Sequence, residues 1–294
     1  MTALRLELDH VGVAVPDLEA GRAAYARLGF RLTPRSLHSG SLTAGGPVQP
    51  WGSGNHCAMF EWGYLEVIGL TDPALPSSVK DLVARHTGLH ILAIGCADAK
   101  RTHDALVAAG APVEGIRALE RDAAYGEAGD EVRRARFRNL YVDRKAYPEA
   151  RILFIEHDTP DVLWQPHLLA HPNGVVGLEA VTFAADDPAP LAERLAALVQ
   201  CAPNGTKDEA KLALGRGTIE VVGRGQWEAR TGGPASVPLP APVGATFRVT
   251  RLADTRACLE AAGVCLQPVA DAAGTPGLMV PAREACGATL MFFE

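Results

Sequence analysis

Four times along the chain, a short run of apolar residues alternating with small ones leads into an Ala-rich stretch with helical spacing. These segments span residues 9–30, 89–113, 178–201 and 245–266. In the first, Val11, Val13 and Val15 alternate as a strand packed on one face requires. Asp17 follows, placed to cap a helix by accepting from its free N–H groups, and Asp98, Asp187 and Asp254 recur in like positions. Leu18, Gly21, Tyr25 and Leu28 then fall on one helical side. Gly21 is a poor helix former, so its place on that side predicts close approach to a sheet. Gly29, Gly110 and Gly263 sit where each helix must stop.

Each segment is followed by Gly- and Pro-rich connections and a closing strand: YLEVIGL at 64–70, RILFIEHD at 151–158, GTIEVVG at 217–223 and ATLMFFE at 288–294. Between helix and closing strand lie further β-like stretches, at 55–62, 134–143 and 210–216 in the first three units. The pattern therefore predicts an α+β fold of four βαβββ units. Turn chemistry at Pro172-Asn173-Gly174 sets a boundary, giving units one and two over 1–172 and units three and four over 173–294. The Pro-rich stretch 232–244 reads as a linker between units three and four.

Composition adds limits. A chain of 294 residues with 48% hydrophobic and 21% charged residues can bury a sizeable core. Its net charge of −6 leaves no basic stripe for a phosphate backbone, so nucleic acid is not expected as a partner. No apolar run approaches the roughly 20 residues that span a bilayer, and the N-terminus enters a strand pattern at once. A cytoplasmic protein without membrane association is expected. The six cysteines are scattered, with no Cys-x-x-Cys pair, and read mostly as small buried side chains.

The stretch His10-Val11-Gly12-Val13-Ala14-Val15-Pro16-Asp17, opening a βαβββ unit, resembles the start of vicinal oxygen chelate proteins. Glyoxalase I, bleomycin-resistance proteins and extradiol dioxygenases belong to that superfamily. Residues 51–69 and 157–174 are similar to its glyoxalase-like subgroup. The resemblance implies two curved, half-barrel mixed sheets with helices outside, each built from two units. It further implies a divalent ion (zinc, iron, manganese or nickel) held by the first and closing strands of each paired unit. His10 and Glu66 match those positions in unit one, and a carboxylate such as Glu66 or Glu156 would shuttle the proton. In unit two the candidates are His90, Glu156 and His157.

Unit two fits less well. His90 stands eight residues before Asp98, whereas His10 stands seven before Asp17. One residue of slip turns a strand side chain to the other face unless a bulge corrects it. Glu156 and His157 are adjacent, so only one can enter a cavity. Pairing of unit one with unit four would remove His90 and Glu156 altogether. Units three and four open without a histidine; there Glu220, which echoes Glu66, reads as a paired residue, and Phe292 and Phe293 as core. His56 reads as a surface residue, His171 as part of a turn, His103 as having no role, and Trp51, Trp62 and Trp164 as packing or pocket walls.

The leading expectation is a metal-dependent glyoxalase-like enzyme with isomerase or lyase chemistry on a small vicinal-oxygen substrate. The alternatives are an extradiol-type dioxygenase and a non-catalytic small-molecule binder of the bleomycin-resistance kind. Homodimerisation is left open.

Overall fold

The computed structural model describes residues 4–40 and 46–294. Unit one comprises β1 (Leu6–Val15), α1 (Leu18–Arg27), β2 (Ser36–Gly40), β3 (Gln49–Met59) and β4 (Tyr64–Leu70), with α2 (Val79–Arg85) after it. Unit two comprises β5 (Gly88–Cys96), α3 (Ala99–Ala108), β6 (Arg117–Tyr125), β7 (Glu131–Tyr141) and β8 (Arg151–His157), then α4 (Pro160–Leu163) and a short 3₁₀ turn. Unit three contains β9 (Val175–Ala185), α5 (Pro188–Val199), β10 (Asn204–Gly205), β11 (Glu209–Ala213) and β12 (Thr218–Gly223), followed by α6 (Arg224–Thr231). Unit four contains β13 (Ala241–Val249), α7 (Leu252–Ala261), β14 (Gln267–Ala270), β15 (Pro276–Val280) and β16 (Thr289–Phe293).

Units one and two share an eight-stranded sheet ordered β2-β3-β4-β1-β5-β8-β7-β6. Units three and four repeat it as β10-β11-β12-β9-β13-β16-β15-β14. Within each unit the first and closing strands run parallel, and the two units of a sheet meet through antiparallel first strands. Each sheet is a half-barrel of two units, and unit one pairs with unit two.

Local signals explain the units. Asp17 accepts from Ala20 N at 3.0 Å, and Asp98 from Arg101 N at 2.9 Å, each capping its helix. A Cβ on Gly21 would lie 2.8 Å from Val15 Cγ2, so only glycine lets α1 settle this closely on the sheet. Unit four departs from the pattern. Arg251, not Asp254, is the residue before α7, and Asp254 lies inside the first turn. The linker is also shorter than expected, because β13 begins at Ala241.

The helix-covered faces of both sheets join in one core. Phe30 packs with Phe60 of the first sheet and with Phe247 and Phe292 of the second, at ring distances of 5.6–6.4 Å. Arg27 of α1 donates to Ala262 O and Gly263 O at the end of α7, where unpaired carbonyls favour a cation. Tyr147 after β7 donates to Arg194 O of α5. Unit one is thereby fastened to unit four, and unit two to unit three.

The concave faces are plugged by short segments. Val79 and Leu82 of α2 pack on Ala14, Ile68, Ile91 and Leu153. Leu168, Leu163 and Trp164 cover Cys57, Met59 and Tyr64 at the other end. Trp227 of α6 and the turn before β13 cover part of the second sheet's concave face. Of the cysteines, only Cys57 and Cys96 are buried; Cys265 is exposed, the other three are half-buried, and none is bridged. Among the described residues, no helix is long and apolar enough to cross a membrane.

Candidate functional site

On the concave face of the first sheet, polar groups lie between the two plugs. Alternation along β4 sends Leu65 and Val67 into the shared core, and Tyr64, Glu66 and Ile68 into the concavity. In β1 the alternation is interrupted: Leu8 and Val11 both enter the core, and the register with β5 slips between Leu8 and His10. Asp9 is the extra residue of this bulge. The bulge places Asp9 and His10 side by side.

Asp9 bridges two histidines. Its Oδ1 is 2.7 Å from His10 Nδ1, and its Oδ2 is 3.1 Å from His157 Nε2. A carboxylate only accepts, so both ring nitrogens donate, which leaves Nε2 of His10 to take or give a proton. Burial alone would raise the Asp9 pKa, but the charge of His157 and hydrogen bonds from both imidazoles hold it well below the usual carboxylate range. The His10 ring stacks on Tyr64, with centroids 4.2 Å apart, fixing its plane. Beside it on β4, Glu66 is held by Asn55 Nδ2 at 2.5 Å. His157 packs edge-on against Trp164. Past Asp9 and His157 opens a cavity of about 520 Å³, walled by Trp62 and Trp164 and reaching Arg216 of unit three.

The remaining candidates go elsewhere. Glu156 faces the helix layer, where Oε2 accepts from Ala99 N at 2.8 Å at the start of α3, so it leaves the cleft set. His90 sits in a second bulge, between the pairs Gly12–Ile91 and Val13–Leu89. That bulge returns it to the concave side but at the α2 end, stacked on His86 and donating to His86 O. Desolvation pushes its pKa down to about 4. His56, expected at the surface, is buried on the helix side with Nδ1 2.8 Å from Thr33 O. His171 is structural, bonding Met59 O and Arg31 N. Trp62 and Trp164 wall the cavity, whereas Trp51 packs against Gly40. Glu220 pairs with Arg230 and Lys211.

Strand register tests the fit of a metal. His10 is opposite Tyr64 and Gly12 opposite Glu66; in unit two the matching pairs are Ile91–Arg151 and Ala93–Leu153. The positions equivalent to His10 and Glu66 are therefore Ile91 and Leu153, both apolar and packed on α2. Among the described residues no three His, Cys, Asp or Glu side chains are grouped to hold an ion. The donor set does not fit a metal held from both units. The residue equivalent to His90 is Asp9, the other bulge residue; sequence spacing found the slip in unit two but not its counterpart in unit one.

Comparisons with known proteins agree with this architecture. A hypothetical protein from Staphylococcus aureus aligns over 98% of each chain at 12% identity and a TM-score of 0.60. A mutant 4-hydroxymandelate synthase from Streptomyces coelicolor aligns over 97% of this chain and 91% of its own, at 13% identity and 0.56. A fusion of a xylose isomerase-like barrel with 4-hydroxyphenylpyruvate dioxygenase matches all of this chain and 50% of its own, at 12% identity and 0.59. At such identities these neighbours show the fold. No curated protein matches.

Paired βαβββ units forming two half-barrel sheets are the architecture that these neighbours share with the chain. The family model of the glyoxalase-like domain matches residues 8–199. The chain belongs to the glyoxalase-like family.

Proposed function

We propose that the first sheet is the working half of an isomerase- or lyase-type enzyme that moves a proton on a small, oxygen-rich molecule. The observation that carries this reading is the 2.7 Å contact by which Asp9 orients His10. A buried carboxylate accepting from one imidazole nitrogen fixes the tautomer and leaves the other nitrogen as the proton acceptor, the arrangement a general base needs. Glu66, on the neighbouring strand of the same face, is the second proton-handling group. Among the described residues unit two supplies no second pair of donors at the positions equivalent to His10 and Glu66, so no step is assigned to a metal.

The test is solvent-deuterium exchange into α-hydroxycarbonyl compounds and 2-oxo acids, followed by NMR, before and after chelation. Exchange that survives chelation and falls in His10→Ala and Asp9→Asn supports the proposal. Exchange that vanishes on chelation and returns with zinc, iron, manganese or nickel would refute its metal-free chemistry; exchange intact in His10→Ala would refute the role of the base.

The apolar pair Ile91 and Leu153 favours a second reading, in which the cleft binds its ligand without turning it over. Thermal stabilisation by an organic ligand that the protein leaves chemically unchanged, with no exchange for any compound, would point there. An iron-dependent dioxygenase would need His10, Glu66 and one of His90 or His157 around one point, and those four are not so gathered.

A further inference from the structure

Both halves of the chain build the cavity beside Asp9 and His157, and the proton-transfer reading leaves most of its wall without a task. Its volume of about 520 Å³ is that of a small-molecule site. The second half reaches it through the tight turn between β11 and β12. Leu214 N donates to Gly217 O within that turn, while Leu8 N donates to Arg216 O at 2.8 Å and Gly215 N to Leu6 O at 2.7 Å. Gly217 has a φ of +81°, and a Cβ there would lie 2.5 Å from Leu8 Cβ, so glycine lets the turn lie flush on β1. The backbone of Arg216 thus joins the halves, and its side chain borders the cavity. The guanidinium stands 5.7 Å from the centre of the Trp62 ring and forms no ion pair among the described residues.

The two indoles of the wall are firmly held. Glu61 N donates to Val176 O and Leu178 N to Trp62 O, and Gly177 leaves room for the Trp62 ring. Trp164 contacts Tyr64 and His157, at ring distances of 5.9 and 4.9 Å. Both indoles are only half-buried and border the cavity. Aromatic walls fixed in advance take a flat ligand at little ordering cost. His157 donates from Nε2 to Asp9, and its buried Nδ1 has no partner among the described residues. A buried polar atom on a cavity wall normally finds its partner in what the cavity holds. Arg5, Arg216, Glu7 and Glu61 all line the cavity and are exposed, so these outer charges cancel and placement decides the ligand's sign. Asp9 is already met by two imidazoles. Of the four outer charges, Arg216 is the one seated against an aromatic wall, where a carboxylate paired with it would lay its ring along Trp62.

We propose that this cavity binds an aromatic carboxylate, its ring against Trp62 and Trp164 and its charge on Arg216. The second half would then supply the charged contact of a site in the first. The proposal goes beyond the proton-transfer reading and does not depend on it, since it is tested by binding and no outcome of deuterium exchange bears on it. Benzoate, its neutral isostere benzamide and its cationic isostere benzamidine are titrated calorimetrically into the full chain. The proteins compared are wild type, Arg216→Met, Trp164→Leu and a control, Arg256→Met, which removes an exposed charge on α7. Benzoate should bind the wild type about fivefold or more tighter than either isostere, because it alone forms a charge-assisted pair with Arg216. Arg216→Met should abolish that preference, and Trp164→Leu should weaken benzoate and benzamide alike by about threefold or more. Arg256→Met should bind as wild type does. Circular dichroism establishes that each variant is folded. Because the Arg216 side chain takes no part in joining the halves, its variant keeps the test available should Trp164→Leu misfold. No benzoate binding up to tens of millimolar, benzamidine bound as tightly as benzoate, or a preference unchanged in Arg216→Met would overturn the site. So would a loss in Arg256→Met equal to that in Arg216→Met, or unchanged binding in a folded Trp164→Leu.

Discussion

Replacing Asp9 by Asn keeps the shape of the side chain and removes its charge. The carboxylate is about one-tenth exposed and joins two imidazoles on different strands, at 2.7 and 3.1 Å. Removing one member of a buried charged contact costs about 3–5 kcal/mol, because the partners stay buried without it. The amide oxygen of Asn can still accept from one histidine, recovering about 1 kcal/mol. Asp9→Asn should therefore lose roughly 2–4 kcal/mol at neutral pH, read as a lower urea midpoint with an unchanged slope. The pH dependence gives an independent check. The folded pKa of Asp9 is depressed, so its contribution is fully present above the unfolded value of about 3.9 and is lost as pH falls below it toward the folded value. The gap between wild type and variant should be constant from about pH 5 to 7 and shrink below about pH 4. A variant as stable as wild type at neutral pH, or a gap that widens on acidification, would refute the bridge as described.

Other outcomes follow from the same geometry. Phe30→Ala should cost about 3–5 kcal/mol and, because its ring touches both sheets, lower both in a single transition measured by calorimetry. Gly177→Ala should destabilise by about 1–3 kcal/mol in a thermal melt, since the new Cβ would stand 1.9 Å from Trp62 Cε2 and force that ring aside. His90 has a folded pKa of about 4 against about 6.5 unfolded, so stability is full above the unfolded value and falls as pH drops through that window, by up to about 3 kcal/mol. Urea titrations of His90→Phe should show that part of the acid loss removed.

The repeat was legible because its signals are local. Asp17 and Asp98 cap within three residues, and Gly29, Gly110 and Gly263 take positive φ where their helices end. The site was half legible. His10 and Glu66 stand out by spacing, whereas Asp9 acquires its role from a bulge set by pairing with a strand some 80 residues away. His56 misled because Gly52 and Gly54 suggest a flexible run. Their function is close packing: a Cβ on Gly52 would lie 1.9 Å from Asp72 O, and one on Gly54 2.6 Å from Ser36 O. The plugs α2, α4 and α6 span only 7, 4 and 8 residues and owe their positions to the cleft rather than to a helical period of their own.

The aromatic junction around Phe30 bears on how such a chain can change over generations. Once two repeated halves lean on each other through a single interior, neither can be deleted, even one whose own cleft holds no histidine. The second half is then free to vary only where it does not touch the first, on its concave lining. Mutational tolerance should therefore be distributed unevenly: permissive in the plugged cleft of units three and four, and strict on their helix-covered side, although neither region carries the proposed chemistry.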